Sequence, residues 1–281
     1  MRLNNALLFL LGIALSISAE AEQRVLASIK PLQLIAQAVV GDRYPVQVLL
    51  PPGATPHHYS LRPSDMRKVD QADLIIWLGT EAETYLAKPL GRADQSYVEI
   101  NLEEYLERGA DRYADPHLWL SSRYALRIAG LIADRLAELD PMDETIYRAN
   151  LHTFALALDR LHGQFSAELK QQEIRYLVYH DAYGYFEREY GLSHLGVVTP
   201  NPEVNPGARH LLQLQNRITE QKIDCILVEP ESNGAVVRAL LAGQPAKQLL
   251  IDPMASNIAL GPKGYLEFLS YVMETFQQCQ R

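Results

Sequence analysis

One continuous apolar stripe runs through the middle of this chain. Tyr147, Leu151, Phe154, Leu158, Leu161, Phe165 and Leu169 recur at steps of three and four, the spacing of a single helix face. Asp140 reads as the N-cap and Pro141 as the first helical residue, with Asp143 and Glu144 complementing the positive helix end. At 1.5 Å per residue, a helix of roughly 30 residues reaches about 45 Å. A connection that long and stiff lets two units pack along it and allows only small movements between them.

On both sides of the stripe, strand-like and helix-like runs alternate. Before it stand strands at Val25 to Ile29, Val46 to Leu50, Leu74 to Leu78 and Tyr97 to Ile100, with helices at Pro31 to Val40, Ser64 to Gln71 and Glu83 to Leu90. After it come strands at 175–180, Leu192 to Val198, Cys225 to Val228 and Gln248 to Ile251. Helices lie between these strands, and a last one begins at Tyr265. Alternation of this kind predicts two α/β units, each built on a mostly parallel sheet. The expected organisation is an N-terminal lobe over 22–139, the linking helix over 140–172 and a C-terminal lobe over 173–281.

The start of the chain carries a different signal. Arg2 supplies a positive charge, Ala6 to Ile17 is apolar, and Ala19-Glu20-Ala21 offers small residues on either side of a cleavage point. The run is too short for a comfortable membrane span and reads as a secretory signal peptide, 1–21, cleaved near Ala21. No cysteine follows it, which argues against a lipid anchor. An exported protein can form disulfides, so Cys225 and Cys279 are expected to bridge, tying the last helix to its lobe. No CxxC spacing marks them as a thiolate metal pair. A formal net charge of −8 argues against nucleic acid as a partner.

Three histidines end elements in stiff local settings. His57 follows Pro51-Pro52-Gly53-Ala54-Thr55-Pro56, His117 sits in Asp115-Pro116-His117-Leu118-Trp119, and His180 closes Tyr176-Leu177-Val178-Tyr179. Their spacing is neither that of a zinc finger nor that of a helical HExxH pair. Only the fold can bring them together, in a site between two lobes. Three neutral imidazoles suit Zn²⁺ and leave one coordination position open. His58 and Glu229 read as groups that support the ligands, Glu229 by accepting the second N–H of an imidazole. His152, His162, His194 and His210 read as solvated or structural, and Trp77 and Trp119 as packing residues.

The segments ASIKP at 27–31, GATPHHYSLRPSD at 53–65, ADLIIWLG at 72–79, DPHLWLS at 115–121, HDAYGYFE at 180–187, NPEVNPG at 201–207 and IDPMASNI at 251–258 occur in an order that resembles one family. It is the cluster A-I solute-binding proteins, the metal receptors of bacterial ABC importers, and within them the ZnuA-type zinc branch. The resemblance implies a periplasmic receptor that captures Zn²⁺ and hands it to the membrane permease of a zinc importer, with a periplasmic metallochaperone as a further partner. It implies two (β/α)4-like lobes joined by a long helix, with the metal in the interlobe cleft, and the protein is expected to be a monomer.

His57, His117 and His180 match the family's metal-binding histidines, and Asp252 matches an aspartate that supplies carboxylate oxygens in several members. Manganese-type relatives tend to carry a carboxylate at the position of His180, where imidazole suits zinc better. Zinc-branch relatives often carry a glutamate just before the first histidine. Pro56 stands there in this chain, which leaves Asp252 or a water as the fourth ligand. The His-rich loop of many relatives is also absent, since the stretch Glu103 to Ala114 contains acids but no histidine. Other readings of the same residues are a Mn²⁺ or Fe²⁺ receptor, an adhesin on this scaffold, or a zinc hydrolase with Asp181 or Glu229 as base. For the last, no enzyme motif is visible, and the expectation is that the protein is not an enzyme.

Overall fold

A computed structural model describes residues 24–56, 59–91, 98–101, 115–169, 173–200 and 204–279. The first half contains β1 (Val25–Ala27), α1 (Lys30–Val40), β2 (Gln47–Val48), α2 (Pro63–Gln71), β3 (Leu74–Trp77), α3 (Thr84–Leu90) and β4 (Val98–Asn101). Next come a 3₁₀ turn at Leu118–Leu120, α4 (Ser122–Leu139) and α5 (Glu144–Leu169). The second half contains β5 (Tyr176–Val178), α6 (Gly184–Tyr190), α7 (Ala208–Glu220), β6 (Cys225–Val228), α8 (Gly234–Leu241), β7 (Lys247–Leu250) and α9 (Gly264–Gln278).

The strands form two parallel sheets, ordered β2-β1-β3-β4 and β5-β6-β7. The apolar run Leu192 to Val198 was expected as a strand and contributes only a single bridge, Val197 to Val178. Its amides still follow β5, with Leu195 N donating to Tyr176 O at 2.8 Å and Val198 N to Val178 O at 2.9 Å. The run is pulled out of regular pairing at His194, whose backbone N–H donates to Glu187 Oε1 at 3.1 Å.

Successive strand residues point to opposite faces, and each sheet therefore feeds two cores. Leu26, Ile75 and Trp77 pack outward with Val69, Leu86 and Leu90 of α2 and α3. Leu177, Ile226 and Val228 pack outward with Leu214, Ile218, Val237 and Leu240 of α7 and α8. The alternate residues of both sheets, among them Val25, Ile76, Tyr176 and Leu227, share one inner core with α1, α4, α5 and α9. That core does not stop at the boundary between the halves. Helix α1 is buried along almost its whole surface, from Pro31 to Val40, as a helix between two apolar layers must be. Helix α9 lies against it closely: a methyl on Gly264 would stand 2.8 Å from Leu34 Cδ2 and 2.8 Å from the Ala259 carbonyl.

Helix α5 carries the stripe that divides the sequence, with Tyr147, Phe154, Leu158, Phe165 and Leu169 buried. It packs against α1, α4, α6 and α9. Its start differs from the expectation. Asp140 is the C-cap of α4, its N–H bonded to Leu136 O at 2.8 Å. The chain then turns through 141–143, and α5 begins at Glu144. At 26 residues it spans about 39 Å. Helix α4 has no counterpart in the reading of the sequence. Its inward face is Ala125, Ile128, Ala129, Ile132, Ala133 and Leu136, and it is capped by Ser121 Oγ, which accepts from Tyr124 N at 3.3 Å. The disulfide joins Cys225 at the start of β6 to Cys279 just past α9, with Cα atoms 5.3 Å apart.

Candidate metal centre

In parallel sheets, ligands gather beyond the carboxyl ends of the strands, where the loops converge. His180 stands two residues past β5, Glu229 one past β6 and Asp252 two past β7, while His117 follows β4 just before the 3₁₀ turn. The two sheets present these ends to one cleft, and there His117 and His180 meet with ring centroids 4.8 Å apart. Both rings are buried, at 5% and 6% exposure.

Each ring is oriented by a carboxylate. His117 Nδ1 lies 2.8 Å from Asp115 Oδ1, which also accepts the His117 backbone N–H at 3.0 Å. His180 Nδ1 lies 3.2 Å and 3.3 Å from the two oxygens of Glu229. Tyr183 donates its hydroxyl to the same Glu229 at 3.2 Å. A proton held on Nδ1 by a carboxylate leaves the lone pair on Nε2, the tautomer a metal requires. Burial disfavours charge on His180, but the Glu229 carboxylate, with Glu231 and Asp181 nearby, outweighs it and raises the pKa.

Bonds between the halves hold this arrangement. Trp119 packs edge-on against His117 at 5.2 Å and donates its indole N–H to Pro253 O at 2.8 Å, beside Asp252. Tyr265 of α9 donates to Trp119 O at 2.8 Å. Ser121 and Ser122, at the start of α4, both donate to Glu189 of α6, the first at 2.5 Å.

His57 and His58 lie outside the described residues. Thr55 and Pro56, immediately before them, line the same cleft as His117, His180 and Glu229. Asp252 is buried, and each of its oxygens accepts a backbone N–H, from Met254 at 2.9 Å and Ser256 at 2.7 Å. Among the described residues no group of three or more His, Cys, Asp or Glu side chains is arranged to hold a metal. The described pair of imidazoles would need His57 to make three.

Sequence reasoning missed Asp115, although a carboxylate two residues before a histidine at an element end is a readable signal. It also missed Glu231, which lines the cleft. Three other histidines have partners it did not foresee: His162 Nδ1 lies 3.1 Å from Glu189, His194 Nδ1 lies 3.0 Å from Glu187, and His210 Nε2 lies 2.9 Å from Val197 O.

Known proteins resemble this chain over most of its length. A high-affinity zinc uptake system protein ZnuA of Yersinia pestis is 35% identical over 92% of both chains. A crystal structure of ZnuA superposes with a TM-score of 0.79 at 27% identity, covering 92% of this chain and 98% of the other. The laminin-binding protein Lmb of Streptococcus agalactiae, described as having adhesin and metal-transporting activity, gives 0.81 at 25% identity, covering 92% and 100%. The family model for the periplasmic component A of the zinc-uptake complex matches residues 25–279. With nearly all of its described length inside that match, the chain belongs to the ZnuA family.

Proposed function

We propose that this protein is a periplasmic receptor that captures Zn²⁺ as cargo and hands it to the membrane permease of an ABC importer. In this reading the signal peptide, 1–21, is removed near Ala21. The N-terminal lobe, 22–139, and the C-terminal lobe, 173–281, then hold the ion between them, with segment 140–172 as their connection. His57, His117 and His180 supply the imidazoles, and Asp252 supplies a carboxylate. The mature protein acts as a monomer and accepts zinc either free or from a periplasmic metallochaperone.

The observation that carries the reading is the pairing of His117 and His180 at 4.8 Å. The two come from opposite halves of the chain, and each has its Nδ1 on a carboxylate. Buried imidazoles of that kind suit zinc better than an oxygen-seeking ion such as Mn²⁺. The test is a metal analysis of mature protein stripped of metal and then offered equal Zn²⁺, Mn²⁺ and Fe²⁺. One equivalent of zinc is expected, and preferential retention of either other ion would overturn the reading. Binding to a laminin-coated surface, the activity suggested by the likeness to Lmb, is expected to be absent.

A further inference from the structure

The first half of the chain buries a carboxylate that the zinc reading does not use. Glu83 is the N-cap residue of α3, in the turn that leaves the carboxyl end of β3, and it has no exposed surface. Its side chain folds back under that turn. Oε2 accepts the Leu78 N–H at 2.6 Å, and Oε1 accepts the Tyr85 hydroxyl at 2.7 Å. The buried hydroxyl of Ser28, just past β1, lies beside it. All three neighbours are neutral, and among the described residues no charged side chain bears on the carboxylate. The titratable groups that face it are Tyr85 and, behind that ring, Tyr59, which meets Tyr85 edge-on at 5.6 Å and donates its own hydroxyl to Asp65 at 2.9 Å. A carboxylate taken out of water with no cation to offset it favours its protonated form. Burial accordingly pushes the Glu83 carboxyl up to about 7, over the hydrogen bonds that oppose the shift.

We propose that Glu83 is a proton-operated brace, in which a proton taken from solvent onto Oε1 reverses the hydrogen bond with Tyr85 and firms the turn between β3 and α3. The geometry decides which oxygen is protonated. The Leu78 N–H can only donate, so Oε2 stays an acceptor and the proton goes to Oε1. The Tyr85 hydroxyl donates to the charged form, and a phenol can equally accept, so it rotates and receives the new O–H. Both bonds survive, and the buried charge is gone. The sign of the effect follows. A carboxyl whose folded value lies above the ordinary carboxylate range lends stability that is fully present in acid and is lost as pH rises through the folded value. Acid therefore firms the wall of the first half where Tyr85 leans on Tyr59.

The test compares thermal unfolding of the metal-free mature protein and of Glu83→Gln between about pH 5 and 8.5, a window that brackets the folded value. Glutamine imitates the protonated form, its carbonyl accepting from Leu78 and its amide donating to Tyr85. His180 and His194 also have raised values, but they titrate in both proteins, and the difference between the two isolates Glu83. The variant is expected to melt close to the parent at the acid end and roughly 5–10 °C above it at the alkaline end. A second measurement is the pH titration of the Glu83 side-chain carboxyl carbon in the parent by NMR, expected to centre near 7. A melting difference that is the same at every pH would overturn the proposal. Should Glu83→Gln fail to fold, the carboxyl resonance decides alone: titration near 7 supports the brace, and titration complete below about pH 5, the ordinary carboxylate range, overturns it.

Discussion

At His180 two effects oppose each other, and the balance sets a pH dependence. Burial disfavours the imidazolium, whereas Glu229, Glu231 and Asp181 favour it, and the net result is a raised pKa. In the metal-free protein this group adds stability that is fully present below the unfolded-state value near 6.5 and is lost as pH rises through the higher folded value. Zinc binding has the opposite sign, because the ligand must be neutral. Chelator competition between about pH 5 and 8 should show zinc affinity falling on acidification, with the fall beginning above the ordinary histidine range. An affinity flat across that window would mean that imidazoles do not carry the binding. Substitution gives a second measure. His57→Ala, His117→Ala and His180→Ala should each weaken zinc by more than about a hundredfold. Glu229→Gln should cost roughly 10–100-fold, since it removes only the support of a ligand. Asp252→Ala should cost less than any of the three histidines, both quantities being read by the same titration. The placement of His180 and Glu229 was legible because each follows the end of a strand, where a parallel sheet displays its functional groups, whereas Asp252 was found through the family resemblance. That Asp115 and Glu229 would each take up an imidazole Nδ1 was only partly legible, because the pairing of Asp115 with His117 is settled in three dimensions.

Among the elements, the buried strands were the easiest to read. Leu74 to Trp77 is apolar throughout because both faces of β3 are covered, and parallel sheets impose that pattern. Helix α4 was harder. Its inward face alternates alanine with isoleucine and leucine, so its stripe is fainter than the aromatic and leucine stripe of α5. Asp140-Pro141 has the composition of a helix start, yet tertiary packing uses it to end α4 and turn the chain. Within the packed elements, Phe154→Ala in α5 should cost about 3–5 kcal/mol, as loss of a buried aromatic does. Urea denaturation followed by circular dichroism would measure it. The disulfide belongs to this scale too. It closes a loop across a sequence separation of 54, for which chain entropy gives about 4 kcal/mol. Denaturation of the Cys225→Ser, Cys279→Ser double variant should therefore begin at distinctly lower urea, while zinc affinity under native conditions should change little.

For the molecule as a whole, the shared inner core matters more than either lobe. The two sheets send alternate residues into one apolar layer, and Trp119, Tyr265 and Glu189 fasten the halves across it. Such a molecule should bind its ion with little change in overall dimensions. Small-angle scattering with and without zinc is expected to give the same radius of gyration, and a large contraction would contradict the shared core. Zinc in thousandfold excess over its dissociation constant should add about 4 kcal/mol by mass action. For a protein of this size that is a rise of roughly 10 °C in melting temperature, readable by calorimetry.

The close seating of α9 on α1 at Gly264 and Leu34 has a consequence for how the molecule comes into being. The helix that begins the described chain is covered by the one that ends it. A polypeptide emerging N-terminus first therefore cannot finish its core until the last 15-residue helix has appeared. Cys279, which must find Cys225, arrives in the same final stretch. For a chain built in that order, the inner core stays open until the end, and the last residues are its clasp.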